Sequence, residues 1–556
     1  MVKQQLVEWR DLQKLEIFNR APVLRKATQG PDLRMCADLL EGVFKSDVGV
    51  HISEEAYEPI DYCTSDEVLD ILKHMRKKKA SDRNGMIMEM FLLGGQPIWD
   101  HLAHFFNQII LTGSIPDGWR ESFFVLLHKG GATNDANNWR PIAILRITYK
   151  IFARLLHSRI KDTLEAAQSD EQYGFRPGRS TTDALLIAET IVSRSLEYNF
   201  DVWMISIDLR KAFDRVEQDA LFLALEAQGV SSSYRYLLQQ IYKDQIGVLS
   251  DDISFGIDRG VRQGDILSPM LFNSVLEKAL ADWKMKIKSC GFYLEESFNQ
   301  EPLTNIRFAD DLLVFGKTLE EAVYMLECLV ASFSNFGLEL NVKKTKMFST
   351  SVVTNDTVLV DTAAGPIELL SADSTHKYLG RAWSGDLRNR GLIATRHRLA
   401  CAWGKFASLK KTLLNKHINL GLRLKLFSSC VTPALLYSLE TCPLTHVSLN
   451  KLDCAQRRML RSIVGWVSFD NDEESWESRG HRMKAKLRAA LELFPVTPWS
   501  ELIAKKKQSL YEHLSLRTTS DLVKRVVNWK PRDCEAYNEH FARKAAGHPR
   551  CTWEDF

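Results

Sequence analysis

No C-x-x-C pair occurs among the ten cysteines of this 556-residue chain. Their scatter fits reduced thiols in a cytosolic or nuclear compartment rather than a disulfide framework. One loose grouping near the end, Cys534, His540, His548 and Cys551, has a spacing that matches no zinc pattern and reads as ordinary surface residues. Long apolar runs are missing as well. Nothing approaches the roughly 20 residues that a membrane helix needs. Met1 to Arg10 is polar, without the apolar centre of a signal peptide. The expectation is an intracellular protein, nuclear or cytoplasmic, with no membrane partner. Excess charge of one sign is scarce overall, at a net +3, but it is unevenly spread. From Arg381 to Phe556 there are 31 Lys and Arg against 17 Asp and Glu, so this part carries +14 and the first 380 residues carry −11. Residues 381–430 alone hold 11 basic residues and one acid, Asp386, interleaved with Trp383, Trp403, Phe406 and Phe427. A basic stripe is ordinarily a solvated face. Interleaved with aromatics and helix formers, this one points to a phosphate backbone.

What the chain does hold is a well-packed composition, 45% hydrophobic and 10% aromatic, and length enough for several domains. Its most telling stretch is Arg307-Phe308-Ala309-Asp310-Asp311-Leu312-Leu313-Val314-Phe315. Two carboxylates between apolar runs predict a β-hairpin with the aspartates at its tip, because Asp disfavours strand interiors. The bland reading is a turn whose carboxylates bond their own backbone. The functional reading is a platform for hard divalent cations, which take oxygen ligands and act in pairs in phosphoryl transfer. Such a platform needs a third carboxylate. Val202-Trp203-Met204-Ile205-Ser206-Ile207-Asp208 supplies one, a short β-branched and aromatic run ending at Asp208.

The two stretches together, Asp208-Leu209-Arg210-Lys211-Ala212-Phe213-Asp214 and Phe308-Ala309-Asp310-Asp311, resemble the catalytic motifs of reverse transcriptases, of the non-LTR (LINE-type) retrotransposon kind. Further motifs follow in family order over roughly residues 66–465. Gln172-Tyr173-Gly174-Phe175-Arg176-Pro177-Gly178-Arg179-Ser180-Thr181 resembles Q-x-G-F-R-P-G-R-S-T, and Arg259-Gly260-Val261-Arg262-Gln263-Gly264-Asp265-Ile266-Leu267-Ser268-Pro269 resembles R-Q-G-x-x-L-S-P. Gly337-Leu338-Glu339-Leu340-Asn341-Val342-Lys343-Lys344-Thr345-Lys346 and Tyr378-Leu379-Gly380 match two more. The K-A-P-G-x-D-G-I pattern is degraded, with Ser81 in place of its proline and Arg83-Asn84 before Gly85.

The resemblance implies an α+β, right-hand polymerase fold. Its expected parts are a leader (1–64), fingers (65–200), a palm with finger insertions (201–350), a primer-grip hairpin with a basic helical thumb (351–469) and a helical tail (470–556). It implies an RNA-directed DNA polymerase that adds dNTPs to a primer 3′ end on an RNA template. Asp208, Asp310 and Asp311, with the Leu209 carbonyl, would hold two Mg²⁺ ions, with Mn²⁺ as the alternative. Lys344 would protonate the pyrophosphate leaving group. Arg176, and secondly Arg179, would contact the triphosphate. Phe213 would lie under the sugar and select against ribose, and Gln263 and Gly264 would line the nucleotide and template pocket. Tyr378, Leu379 and Gly380 would support the primer end, and the basic thumb would carry the RNA–DNA duplex. No endonuclease signature is found. Two rival readings are a catalytically inactive nucleic-acid-binding protein that keeps the fold, and an intron maturase.

Overall fold

The apolar run before Asp208 is a strand, and it lies inside a sheet rather than at its edge. The computed structural model describes residues 32–46, 57–294, 301–465 and 475–531. The Cys534–Cys551 grouping, the acidic run 470–474 and the tail beyond residue 531 lie outside the described residues. In chain order the strands are β1 (Glu121–His128), β2 (Trp139–Ile144), β3 (Trp203–Ile207), β4 (Gln245–Ser250), β5 (Ile253–Ile257) and β6 (Asn305–Phe308). They continue as β7 (Asp311–Gly316), β8 (Lys346–Ser349), β9 (Val358–Val360), β10 (Ile367–Leu369), β11 (Thr375–Tyr378) and β12 (Arg381–Ser384). With the helices between them, they make the mixed helix-and-sheet, α+β architecture that the sequence predicts.

The described residues fall into two units. One lies within Met1–Ser169, Leu209–Met285 and Leu329–Glu339; the other lies within Asp170–Asp208, Lys286–Cys328 and Leu340–Phe556. In the first, β2-β1-β4-β5 form a four-stranded sheet. Phe44, at the end of the helix Leu33–Phe44, stacks on Phe124 and Phe255, 6.0 Å from each, and so covers one face of that sheet. Trp119, Phe106, Tyr149 and Phe152 are buried together nearby, with Trp119 5.3 Å from Phe152 and 5.7 Å from Tyr149. The helix Ser268–Lys286 opens at Ser268 itself, one residue earlier than a serine cap would place it.

In the second unit, six strands run in the order β6-β7-β3-β8-β10-β9. All five residues of β3 are buried, as befits a strand covered on both faces. Its core joins Met204, Leu313, Phe315 and Phe348 to the helix Thr181–Tyr198 and, from far along the chain, to Leu522, Val523, Val526 and Trp529. The helices Arg390–Leu413, Leu420–Leu436 and His446–Val464 share a second core around Phe406, Phe427, Leu452 and Trp499.

Candidate active site

The ladder between β3 and β7 is antiparallel and pairs Ile207 with Leu312, so its next step sets Asp208 opposite Asp311. Asp208 leaves a strand too apolar to hold it and enters a cage of hydrogen bonds. Its carbonyl accepts from Asn341 N at 2.8 Å, and its Oδ2 accepts from Asn341 Nδ2 at 3.0 Å. Lys344 Nζ, exposed, lies 3.4 Å from the same oxygen. Asn341 also turns the chain, its carbonyl accepting from Lys344 N and Thr345 N. The Asn and Lys of one motif are thereby brought to one carboxylate.

Asp310 and Asp311 sit where the hairpin reading expects them. Phe308 pairs with Asp311, leaving a two-residue turn, Ala309-Asp310. Asp311 itself is the first residue of β7. Ala309 adopts φ +57°, a conformation that glycine takes freely and alanine does not. Two groups brace it. Gln172 Oε1 accepts from Ala309 N at 3.0 Å, and Gly174 is packed so closely that a Cβ added there would overlap the Ala309 nitrogen. Neither residue's role is visible in the motif spelling.

The Asp311 carboxyl is pushed up to about 6, first by the loss of water around it, then by the charges of Asp310 and Asp208, against a pull from Lys344. The residue nevertheless keeps an open face. Beside it, the Tyr378 hydroxyl is buried without a hydrogen-bond partner, and Asp311 raises its pKa further above that of a free phenol after burial has done most of the work. Among the described residues no three His, Cys, Asp or Glu side chains already close a shell around a metal ion. The donors available are hard oxygens whose mutual repulsion a cation would relieve. That fits Mg²⁺, which uses one or two carboxylates and completes its shell with water and substrate phosphates. A leucine offers an ion nothing but its backbone carbonyl, and Leu209 is buried.

The loop 172–180 separates the two predicted arginines. Arg179 is taken up structurally: its Nη2 bonds Asp170 Oδ1 at 2.6 Å and its guanidinium lies 5.5 Å from the Tyr173 ring centre. Arg176 remains partly exposed, with Nη1 donating to the Gln172 carbonyl at 3.3 Å.

Of the hairpin residues, Tyr378 and Leu379 are core residues and Gly380 is exposed. The tip is held from the helical bundle. Tyr437 OH donates to the Leu379 carbonyl at 3.0 Å, Arg398 donates to the Gly380 carbonyl, and the Arg398 guanidinium lies 4.7 Å from the Tyr437 ring centre. In the basic stripe, Lys405, Lys410 and Lys411 are exposed. Trp383, Phe406 and Phe427 are buried, so Trp403 is the one aromatic of the four on the surface.

The other unit brings Phe213, Gln263 and Gly264 together. Phe213 stacks on Phe272 at 4.4 Å, and its carbonyl accepts from Val261 N at 2.7 Å. Gln263 Nε2 donates to Asp214 Oδ1 at 2.6 Å, and the Gln263 carbonyl accepts from Ala143 N at 3.0 Å. Gly260, at φ +88°, lies against the Asp214 backbone, where a Cβ would approach its carbonyl oxygen to 2.6 Å. Burial pushes the Asp214 carboxyl up to about 6; the Gln263 hydrogen bond, and then Lys211, Lys129 and Arg140, pull it down. The last Asp of the D-x-x-x-A-F-D stretch therefore orients Gln263, a link that its spacing does not reveal.

The family profile described as reverse transcriptase (RNA-dependent DNA polymerase) matches residues 127–382. Over 372 residues the chain is 27% identical to a protein named retrovirus-related Pol polyprotein from type-1 retrotransposable element R2 of Popillia japonica, covering 64% of this chain and 48% of that one. It is 28% identical over 289 residues to an uncharacterized 149 kDa protein of transposon TX1 from Xenopus laevis, covering 50% and 21% respectively. Against the RNA-directed DNA polymerase from mobile element jockey of Drosophila melanogaster it is 23% identical over 434 residues, covering 75% and 46%. The chain spans less than half the length of each of these relatives.

Proposed function

We propose that this chain is an RNA-directed DNA polymerase of the LINE-type, non-LTR kind, from the reverse transcriptase profile that matches residues 127–382 and the retrotransposon proteins it is similar to. It extends a primer 3′ end with dNTPs on an RNA template. The observation that carries this reading is the opposition of Asp208 and Asp311 across β3 and β7, with Asp310 next to them and Lys344 at 3.4 Å from Asp208.

Asp208, Asp310 and Asp311, with the Leu209 carbonyl, are the groups that would hold two Mg²⁺ ions, or Mn²⁺ in their place. When bound, such ions lower the pKa of the attacking hydroxyl and neutralise charge on the phosphate. The chain's own residues orient and shield. Arg176 grips the triphosphate by its fork of donors, while Arg179 serves the loop. Lys344 donates the proton that the leaving pyrophosphate needs. Phe213 lies under the sugar, where a ring collides with a 2′-hydroxyl. Gln263 and Gly264 line the base-pair pocket, with Gln263 held by Asp214. The backbone of the Leu379-Gly380 turn supports the primer end, since Tyr378 and Leu379 are core residues.

In the vocabulary of this polymerase class, residues 65–200 are the fingers and 201–350 the palm with finger insertions. Residues 351–469 are the primer-grip hairpin and basic thumb, which takes the RNA–DNA duplex. No helix of the described residues is long and apolar enough to cross a membrane. The test is extension of a DNA primer on an RNA template by the purified chain with Mg²⁺. Incorporation of dNTPs supports the reading. Tight primer-template binding without incorporation would favour the inactive binding protein.

A further inference from the structure

We infer that Gln172 is a positioning residue for the aspartate turn, holding Ala309 so that Asp310 and Asp311 meet a divalent cation in the right geometry. The inference rests on the proposed metal-binding role of those aspartates and adds a residue to it.

Gln172 is fully buried, which for a glutamine demands that its polar atoms be used. Its Oε1 accepts two backbone hydrogen bonds, from Gly174 N at 2.9 Å and from Ala309 N at 3.0 Å. Both lone pairs are thereby committed, one to its own loop and one to the turn. The turn needs such a partner. Ala309 at φ +57° is held in a conformation that a residue with a Cβ adopts only at a cost. Conformations of this kind persist where the surroundings over-determine them.

The surroundings here form one continuous strip. Tyr173 N donates to the Arg307 carbonyl at 2.8 Å and Arg307 N donates to the Glu171 carbonyl at 3.0 Å, so residues 171–173 lie beside β6 through one parallel bridge, Gln172 to Arg307. Gly174 then passes over the Phe308–Ala309 peptide with no room for a side chain. The strip's other end carries Arg176, whose Nη1 donates to the carbonyl of Gln172. One residue therefore connects the proposed triphosphate contact to the carboxylate turn. A nucleotide with its metal would engage both ends of that connection at once.

The test uses the full chain and Mn²⁺ as the probe, its binding followed by loss of the free-ion paramagnetic resonance signal without nucleic acid or nucleotide. Gln172→Met keeps the length and removes the acceptor, whereas Gln172→Glu keeps an acceptor oxygen at the same reach. Losing a partner outside the ligand shell typically weakens a metal site about tenfold or more. Gln172→Met is therefore expected to weaken Mn²⁺ binding about tenfold, and to raise the Mg²⁺ concentration for half-maximal primer extension to match. Primer-template affinity should stay unchanged, and Gln172→Glu should remain within about twofold of the parent. A folded Gln172→Met protein with parental Mn²⁺ affinity and Mg²⁺ half-saturation would overturn the inference and leave Gln172 a packing residue. If Gln172→Met does not fold, Gln172→Asn, too short to reach both N–H groups, is judged by the same two readouts. Asp310→Asn/Asp311→Asn separates the two claims. If that control binds Mn²⁺ like the parent, the metal reading itself fails.

Discussion

Asp208 and Asp311 oppose each other across two antiparallel strands, one step beyond the Ile207–Leu312 pair, with Asp310 adjacent in the turn. Like charges so arranged cost free energy when no cation is present. The Asp311 carboxyl is pushed up to about 6, first by burial and then by these neighbouring charges. A carboxyl whose folded-state pKa is raised favours the folded state while protonated. This contribution is present below the unfolded value near 4 and is lost as pH rises through about 6. Asp310→Asn removes one of the opposing charges. At pH 7.5 without divalent cations this variant is expected to melt at a higher temperature than the parent. Added Mg²⁺ should raise the parent's Tm more than the variant's. Equal Tm values, and equal responses to Mg²⁺, would show that the carboxylates do not share a site.

Phe213 stacks on Phe272 at 4.4 Å, its carbonyl accepts from Val261 N, and the proposed role puts its ring under the sugar. Phe213→Val is expected to relax discrimination against rNTPs by at least about tenfold, the effect of relieving a clash worth some 1.4 kcal/mol. The measurement is the ratio of kcat/KM for a dNTP and its rNTP. An unchanged ratio removes Phe213 from the sugar.

Arg517 bonds Asp183 at 2.7 Å and Asp521 at 3.3 Å, and Asp183 in turn caps the helix Thr181–Tyr198. Removing one partner of a buried pair leaves the other charge stranded. Arg517→Ala is expected to lower the unfolding free energy by about 3 kcal/mol in denaturant titration. Arg517 lies beyond residue 382, so this pair ties a later segment to the stretch that the family profile matches. A loss below about 0.5 kcal/mol would make the pair an ordinary surface bridge.

Lys405, Lys410 and Lys411 are exposed on the helix Arg390–Leu413. If they contact phosphates, changing all three to Gln should lower primer-template affinity and reduce the slope of log K against log salt by about 2–3. A slope that does not move puts the duplex elsewhere.

The three carboxylates were legible because local rules placed them. The apolar run at 202–207 reads as a strand ending at Asp208, and the apolar runs on either side of Asp310-Asp311 read as a hairpin with the aspartates at its tip. The helical character of the basic region, seen as the helices Arg390–Leu413, Leu420–Leu436 and His446–Val464, followed from composition, while the α+β class came from the family resemblance. What the sequence hid were partnerships over distance. Gln172 meets a turn 137 residues away and Gln263 meets a carboxylate 49 residues away, and no local pattern announces either. The bond of Arg179 to Asp170 and its place over the Tyr173 ring are equally invisible in the motif. Trp383, Phe406 and Phe427, read as interleaved with the basic stripe, are buried, because composition does not say which face turns inward. That each unit is built from segments far apart in the chain is likewise not announced by any local pattern.

The most direct measurement is Mg²⁺-dependent extension of a primer on an RNA template by the parent and by Asp310→Asn/Asp311→Asn, with primer-template affinity determined for both. The account predicts extension by the parent, loss of at least about a thousandfold in the variant, and equal affinity for the primer-template. Extension that survives in the variant would contradict the assignment of the metal platform. Absence of extension in a parent that still binds the duplex would contradict the polymerase itself.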